Sequence, residues 1–405
     1  MDTVESRSLL NKILCFVGIV TIVTTPFMYI HSRTVRSLRP LLKRDERYVK
    51  KFQMLRNGSL ISSSLLFVCI FIGRFSTIFC PGRLSFILFS ICELLTGFSY
   101  FLVISLVVTH PLSLFSERFK QTSFFIAVSI AIVIAGISFE NHRNFDITKV
   151  QQPTDIIKSQ PHHLKGLKFA VISDIHITGS FMNQKNLDKI AQSIKNLNSD
   201  YCFIVGDIID IPHADIQFEA LNLDLSVLAN VTRHQTIAVL GMAFPSLTSG
   251  NHDLWTSASM VTNILRSSGY KVLLSEGLVL EPGFYVAGLR DYGLNPIPDL
   301  LDDIKSVLKD YPKDKLPILL IHQPLQSAMY LVNELTKGTG AVTFSGHLHS
   351  GQLLPLQFLI RLAFPLFYGQ YRIGENHLYV SSGIGASSTP FRWFSRPEIV
   401  EFEFV

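Results

Sequence analysis

The sequence predicts an α/β sandwich flanked by helices, preceded by an all-α bundle of about four membrane-spanning helices. Two observations lead to this architecture. The first 140 of the 405 residues contain four long apolar stretches, and the remainder alternates short β-rich runs with segments of helical periodicity. We therefore expect a multi-pass transmembrane region at 1–140, a polar linker at 141–166 and a folded domain at 167–405.

Each apolar stretch is close to the length of about 20 residues that a helix needs to cross hydrocarbon. Charged residues make up only 17% of the chain and the mean hydropathy is +0.32, which is high for a soluble protein of this size. A signal peptide is an alternative for the first stretch, and buried core helices are an alternative for all of them. The four stretches are Ile13–Ile30, Leu60–Cys80, Leu84–Thr109 and Ser123–Phe139.

The loop after the first stretch, His31–Asn57, contains nine Lys or Arg residues. The positive-inside bias places this loop in the cytosol. With four spans, the folded domain then lies on the lumenal or extracellular side, whereas a miscounted span would invert the orientation. The glycosylation sequon that begins at Asn230 agrees with this side. We expect a lipid bilayer as a partner and no nucleic acid, because the basic loop accounts for much of the net charge of +5.

Five clusters of side chains that commonly bind metals lie in the C-terminal two-thirds of the chain. Four of them follow apolar runs that we predict to be strands, and the carboxyl ends of parallel strands converge on one crevice. The clusters offer oxygen and nitrogen donors without cysteine, which suits Mn²⁺, Fe or Zn²⁺. One such His or Asp is more often a turn or cap residue, but five in this order are difficult to explain structurally. The clusters are Asp174–His176, Gly206–Asp210, Gly250–Asp253, His322 and Gly346–His349.

These motifs, which read D-x-H, G-D-x-x-D, G-N-H-D, a lone His and G-H-x-H, resemble those of the calcineurin-like metallophosphoesterases. The resemblance runs from about Leu167 to the C-terminus, and segments 346–352, 378–385 and 396–399 are similar to a membrane-associated branch of that superfamily. The resemblance implies a metal-dependent phosphoric ester hydrolase. Two divalent cations, Mn, Fe or Zn, would be its cofactors, and a hydroxide bridging them would be the nucleophile.

The resemblance also implies which residues bind the two metals. Asp207 would bridge them, because two cations roughly 3.5–4 Å apart repel strongly unless an anion lies between them. Asp174, His176 and His349 would complete the first site. Asn251, His322 and His347 would complete the second site.

Three further residues have implied roles around the metals. His252 would stabilise the developing charge or protonate the leaving oxygen, and the neighbouring Asp253 would orient it. Asp210 would either support a metal ligand or cap a loop, and we weigh these two roles about equally.

Two features bear on the substrate. Protein Ser/Thr phosphatases of the superfamily have Arg-Gly after the second motif and Glu after the third His, where this chain has Ile211-Pro212 and Asp253. A phosphodiester or a lipid phosphate is therefore favoured over a phosphoprotein. The apolar segment Leu353–Tyr368 is interrupted by two prolines and does not span a bilayer. It is either a covered hydrophobic layer or a lip at the membrane interface that favours a lipid-linked substrate.

An insertion distinguishes this chain from the usual family pattern. The apolar run Ala238–Gly241 would normally continue into the third motif, but here Met242–Gly250 intervenes. If the insertion displaces the second metal, the chain is a non-catalytic membrane receptor or scaffold with an inactivated domain. We favour a surface loop that leaves Asn251 within reach of a metal, because each doubling of loop length costs only about 0.6 kcal/mol.

Overall fold

The computed structural model describes residues 25–42, 47–79, 83–153, 164–178, 180–210, 221–241, 258–292 and 297–405. The chain forms two compact units. The first comprises Met1–Phe75 and Leu88–Ile137, and the second comprises Ser76–Ile87 and Ser138–Val405.

The first unit is helical in its described part. Residues 25–38 are helical and continue into a 3₁₀ turn at Arg39–Leu41. A second 3₁₀ turn, Pro111–Leu114, lies between two of the long helices. The long helices are α1 (Tyr48–Phe79), α2 (Arg83–Val108) and α3 (Glu117–Arg143).

Two helices in the described part of the chain are long and apolar enough to cross a membrane, as judged by length and composition. They cover Leu84–Val108 and Arg118–Arg143 and correspond to the third and fourth predicted spans. Most of the first predicted span, Ile13–Ile30, lies outside the described residues. The second, Leu60–Cys80, belongs to α1, where some side chains are also outside them. The prediction of about four spans is therefore reduced to two supported candidates.

Two six-stranded sheets form the centre of the second unit. Its strands are β1 (Asp146–Gln152), β2 (Lys168–Ile172), β3 (Tyr201–Val205), β4 (Thr236–Val239), β5 (Lys271–Val272), β6 (Glu276–Leu280), β7 (Phe284–Gly288), β8 (Leu316–Leu320), β9 (Ala341–Ser345), β10 (Gly369–Ile373), β11 (Asn376–Val380) and β12 (Glu398–Phe404). The first sheet has the order β1-β12-β2-β3-β4-β5, and the second has the order β10-β11-β9-β8-β7-β6. The central pairs β2–β3 and β8–β9 are parallel.

The interior between the sheets is rich in phenylalanine. Phe169 on β2 has its ring centroid 4.8 Å from that of Phe203 on β3 and 5.4 Å from that of Phe284 on β7. Alternate residues of β2 face opposite ways, so Phe169 joins this core while Ile172 joins the core on the outer face of the sheet. Both faces are buried, which explains the continuous apolar runs of the central strands.

Helices cover the outer faces of the sheets. In α4, Asn183 caps the first turn by accepting a hydrogen bond from the backbone of Asn186, and Leu187, Ile190 and Ile194 recur at helical spacing on the buried face. Helices α4, α5 and α6 contribute to the core of the first sheet, and α7 and α8 contribute to that of the second. Their bounds are α4 (Gln184–Leu197), α5 (Ser226–Ala229), α6 (Ala258–Ser267), α7 (Ile297–Lys309) and α8 (Gln326–Leu335), and a further helix, α9 (Leu356–Ala363), follows β9. The predicted α/β sandwich is confirmed.

The segment expected to be a linker contributes a strand. Within 141–166, strand β1 pairs in parallel with β12, from Asp146 opposite Glu398 to Gln152 opposite Phe404. Its sequence is polar because it lies at the edge of the sheet, and most of its side chains are exposed or half-buried. Polarity was therefore a poor guide to the boundary of the folded unit.

Candidate metal centre

The predicted metal-binding side chains follow the carboxyl ends of four parallel strands. Asp174 and His176 come after β2, Asp207 comes after β3, His322 comes after β8, and the G-H-x-H motif comes after β9. These strands occupy central positions in the two sheets, so their ends meet at one edge of the sandwich.

Five of these residues have a backbone conformation that non-glycine residues rarely adopt. Their φ angles are positive: Asp174 53°, His176 48°, Asp207 50°, His347 74° and His349 50°. Such a conformation costs on the order of 1–3 kcal/mol per residue and is concentrated at functional sites. The sharp turns after β2, β3 and β9 direct the motif side chains to one centre, and the residue types alone do not predict these turns.

Asp174, His176 and His349 form the first ligand group, with one possible ligand atom from each within 4.8 Å of the others. The Nε2 atoms of His176 and His349 are 2.9 Å apart, and Nε2 of His349 is 3.6 Å from Oδ1 of Asp174. For ligand atoms about 2.0–2.1 Å from a Zn²⁺ ion, these two separations correspond to ligand–metal–ligand angles of roughly 90–120°. The spacing of these donor atoms therefore fits a single cation.

Asp207, His322 and His347 form the second ligand group. Nε2 of His322 lies 3.3 Å from Oδ2 of Asp207 and 3.3 Å from Nδ1 of His347. Oδ2 of Asp207 is also 3.6 Å from Nε2 of His176, a member of the first group. Oδ1 of Asp207 is buried and has no hydrogen-bond partner among the described residues. A bound cation would satisfy this oxygen, which is costly to bury alone.

Hydrogen bonds behind the ligands orient them. Nδ1 of His176 lies 2.5 Å from Oδ2 of Asp210, and Nδ1 of His322 donates to the carbonyl oxygen of Val205 at 2.8 Å. Each bond leaves Nε2 facing the centre, as is usual for metal-binding histidines. Of the two roles weighed for Asp210, support of a metal ligand agrees with this contact.

The acidic side chains favour the binding of positive charge at this site. Burial lowers the pKa of His176, but Asp210, Asp207 and Asp174 outweigh that effect and raise it to about 9. Burial likewise opposes Asp207 and Asp174 at His322, whose pKa is raised to about 10. In the metal-free state, protons therefore occupy positions that a cation would take, and protons and metal compete for these rings.

The structure also reveals three residues near the centre whose roles sequence reasoning missed. Arg392 is completely buried and bonded to His349. Gly241 lies so close to Asp207 that an added Cβ would overlap the carboxylate. Asp291 accepts a hydrogen bond from Gln323 at 2.8 Å and contributes to the raised pKa of His322. The sequence GLRD begins at the last residue of β7 and places Asp291 shortly after a strand end, a signal that could have been used.

The third motif cannot be placed. Asn251, His252, Asp253 and the insertion Met242–Gly250 lie outside the described residues. The structure therefore brings together six of the seven predicted metal ligands, and the roles of Asn251, His252 and Asp253 stay predictions.

Comparison with known families identifies the domain. Residues 167–351 match the family model of the calcineurin-like phosphoesterases, and this segment is a domain of that family of metal-dependent phosphoesterases. The match includes both ligand groups described above. The predicted family and the predicted enzyme class, a metal-dependent phosphoric ester hydrolase, are confirmed.

Individual relatives are similar over a longer part of the chain. A protein of Danio rerio named transmembrane protein with metallophosphoesterase domain is 28% identical over 306 residues, covering 70% of this chain and 62% of the relative. An uncharacterized metallophosphoesterase of Campylobacter jejuni is 29% identical over 280 residues, covering 68% of this chain and 67% of the relative. One from Helicobacter pylori is 26% identical over 374 residues, covering 87% of this chain and 92% of the relative. This chain therefore matches less than two thirds of the zebrafish protein and about two thirds of the Campylobacter protein.

Proposed function

We propose that the domain hydrolyses phosphoesters with two divalent cations, one in each ligand group, and that Asp207 is shared between them. One observation carries the proposal: the Asp207 carboxylate lies 3.3 Å from His322 in one group and 3.6 Å from His176 in the other. A single carboxylate between two cations offsets their mutual repulsion.

The side chains of this chain would have distinct tasks in that reaction. The carboxylates of Asp174 and Asp207 offset the charge of the cations, and Asp210 and the Val205 carbonyl hold the rings of His176 and His322 in place. His252 would stabilise the developing charge or give a proton to the leaving oxygen. When bound, the cations polarise the phosphoryl oxygens and lower the pKa of a water molecule. The donor set is compatible with Mn, Fe or Zn.

A phosphodiester or lipid phosphate is the substrate class that we propose, and α9 supports a lipid-linked substrate. Phe358, Leu359 and Leu362 on this helix are 60%, 64% and 82% exposed. No residue of the helix is buried, whereas Leu353 and Leu366 towards the two ends of the apolar segment are, so the helix itself supports the membrane-interface alternative. Directly after it, the Phe364 ring lies 6.4 Å from the ring of His347. An apolar face this close to the ligand groups is suited to a bilayer surface that carries the substrate.

A substrate screen tests the proposed function. The full-length chain, purified in detergent and supplied with Mn²⁺, would be assayed against bis-p-nitrophenyl phosphate, lipid phosphates and a phosphopeptide. We expect turnover of the diester or of a lipid phosphate. Activity on the phosphopeptide alone would contradict the substrate class. Absence of turnover on every compound, with metals bound, would favour the alternative of a non-catalytic receptor or scaffold.

Replacing Leu362 on α9 with Glu separates lipid access from chemistry. We expect Leu362→Glu to reduce hydrolysis of a lipid phosphate presented in vesicles about tenfold, because a charge weakens insertion of the apolar face. Turnover of soluble bis-p-nitrophenyl phosphate should be unchanged. Tyr330→Glu is the matched control, since Tyr330 is 54% exposed on α8. Equal loss on both substrates, or no loss on vesicles, would refute the role of α9.

We also propose that the protein is a multi-pass membrane protein with its phosphoesterase domain on the lumenal or extracellular side. The two candidate spans support insertion into a membrane, and the basic loop His31–Asn57 supports a cytosolic side for the segment before them. The lumenal side further requires that the predicted span Leu60–Cys80 in α1 also crosses the bilayer, which gives three crossings between the loop and the domain. Asn230 of the sequon is exposed. Expressed in eukaryotic cells, the chain should carry a glycosidase-sensitive sugar that Asn230→Gln removes. Digestion of the domain by protease added to the cytosolic side of intact membranes would show the opposite orientation.

A further inference from the structure

Arg392 is a cation enclosed by protein beside the first ligand group. It is 0% exposed, and its guanidinium donates to the carbonyl oxygens of Gly385 at 3.0 Å, Ser382 at 2.8 Å and Gly383 at 3.3 Å. Burial lowers its pKa to about 10, so it stays charged at neutral pH. Its donors are occupied by protein atoms, and Arg392 therefore does not reach a substrate.

The same guanidinium holds the backbone of His349. Nη1 of Arg392 donates to the His349 carbonyl oxygen at 2.9 Å, and Oγ of Ser395 donates to the same oxygen at 2.6 Å. Nη2 of Arg392 lies 3.1 Å from Nδ1 of the His349 ring. His349 has a φ of 50°, a conformation that its surroundings must stabilise. The two hydrogen bonds to its carbonyl oxygen fix the backbone of the residue whose Nε2 lies 2.9 Å from that of His176.

The backbone of Arg392 is held in turn by the end of α3. Its N–H donates to the carbonyl oxygen of Ser138 at 2.9 Å, and Nδ2 of Asn141 donates to its carbonyl oxygen at 3.2 Å. Between these two residues, the ring of Phe139 lies 6.1 Å from that of Phe391. Ser138 to Arg143 belong to the same compact unit as the metal centre. The last turns of α3 therefore form part of the phosphoesterase unit.

We propose that Arg392 is a positioning residue for the metal ligand His349, and that Ser138 and Asn141 at the end of α3 hold Arg392 in place. The inference rests on the proposed two-metal function. It means that the first ligand group depends on residues on both sides of the family match at 167–351: Arg392 follows the match, and Ser138 and Asn141 precede it at the end of a candidate membrane span.

Metal titration of the full-length chain in detergent tests this inference. The metal-free wild type, Arg392→Lys, Asn141→Ala and Ser395→Ala would each be titrated with Mn²⁺ by calorimetry, and the spin-coupled signal of a manganese pair followed by electron paramagnetic resonance. We expect Arg392→Lys to lower the affinity for one Mn²⁺ ion by about 10- to 100-fold, the range for loss of a group that orients a metal ligand. The affinity for the other Mn²⁺ ion should not change. The coupled signal should disappear while a single-ion signal remains. Asn141→Ala and Ser395→Ala should lower the Mn²⁺ affinity of the same site by a smaller factor.

Arg396→Lys is the matched control, because Arg396 is an exposed arginine of the same segment that pairs with exposed Asp146. It should bind both Mn²⁺ ions as the wild type does. Equal weakening of both ions in Arg392→Lys, or none, would overturn the inference, because loss of general stability does not select one ligand group. If Arg392→Lys fails to fold, Ser395→Ala is judged instead by whether it weakens the binding of one Mn²⁺ ion and not of both. A wild type that binds one Mn²⁺ would contradict the two-metal proposal, and the inference would then be judged by whether Arg392→Lys weakens that ion.

Discussion

Replacing Asp207 with Asn is expected to abolish turnover and to lower metal content in both ligand groups. Oδ2 of Asp207 lies near His176 and His322, and Oδ1 is buried without a hydrogen-bond partner among the described residues. The neutral amide removes the anion between two cations while keeping the size of the side chain, so their repulsion is no longer offset. Metal content by mass spectrometry and turnover of bis-p-nitrophenyl phosphate would be measured on the same preparation.

His252→Ala provides the contrast. A lost general acid lowers the rate by roughly 10²–10⁴ without removing a metal ligand, so both metals should be retained. Loss of metal in His252→Ala would refute its assignment as the acid. Near-normal activity of Asp207→Asn with two bound metals would show that the shared carboxylate is not required.

Gly241→Ala is expected to reduce activity by on the order of 10²-fold, the scale of a misplacement of about 1 Å. A Cβ on Gly241 would overlap Oδ1 and the backbone nitrogen of Asp207, and it would lie 2.8 Å from Nε2 of His322. Asp207 and His322 must therefore move, and both residues belong to the second ligand group. The φ of Gly241 is not in the left-handed region, so alanine is excluded by the lack of space and not by backbone strain.

The matched control is Gly136→Ala in α3, where an added Cβ meets no heavy atom within 4 Å. This variant should keep wild-type activity and metal content. For Gly241→Ala, we expect a melting midpoint close to that of the wild type together with a weakened Mn²⁺ affinity. Wild-type activity in Gly241→Ala would show that Asp207 and His322 are not placed as described.

Much of the fold and site could be predicted from the sequence, because a buried strand is recognisable from its own apolar residues and the motif residues lie directly after such strands. The apolar residues before Asp174 predicted a buried strand, which is β2, and Asp174 and His176 followed as the residues after its carboxyl end. Segment 146–152 gave no such signal, because an edge strand is polar and its partner β12 lies some 250 positions away. Long-range pairing of this kind depends on the whole topology and not on local residue types.

The support of the site was also invisible in the sequence. Arg392 reaches His349 over 43 positions, and its own backbone is held by Ser138. A buried arginine that donates hydrogen bonds to backbone carbonyl oxygens has no characteristic sequence pattern. Gly241 was noticed only as the end of a strand, since its role depends on its closeness to Asp207, which follows the neighbouring strand β3.

Anomalous diffraction at the manganese edge, from crystals of the full-length chain grown with Mn²⁺, tests the central claim most directly. The account predicts two peaks roughly 3.5–4 Å apart, the separation of paired metal sites. One should lie among Asp174, His176 and His349, the other beside His322 and His347, with the Asp207 carboxylate between them. A single peak, or two peaks that do not share Asp207, would contradict the account.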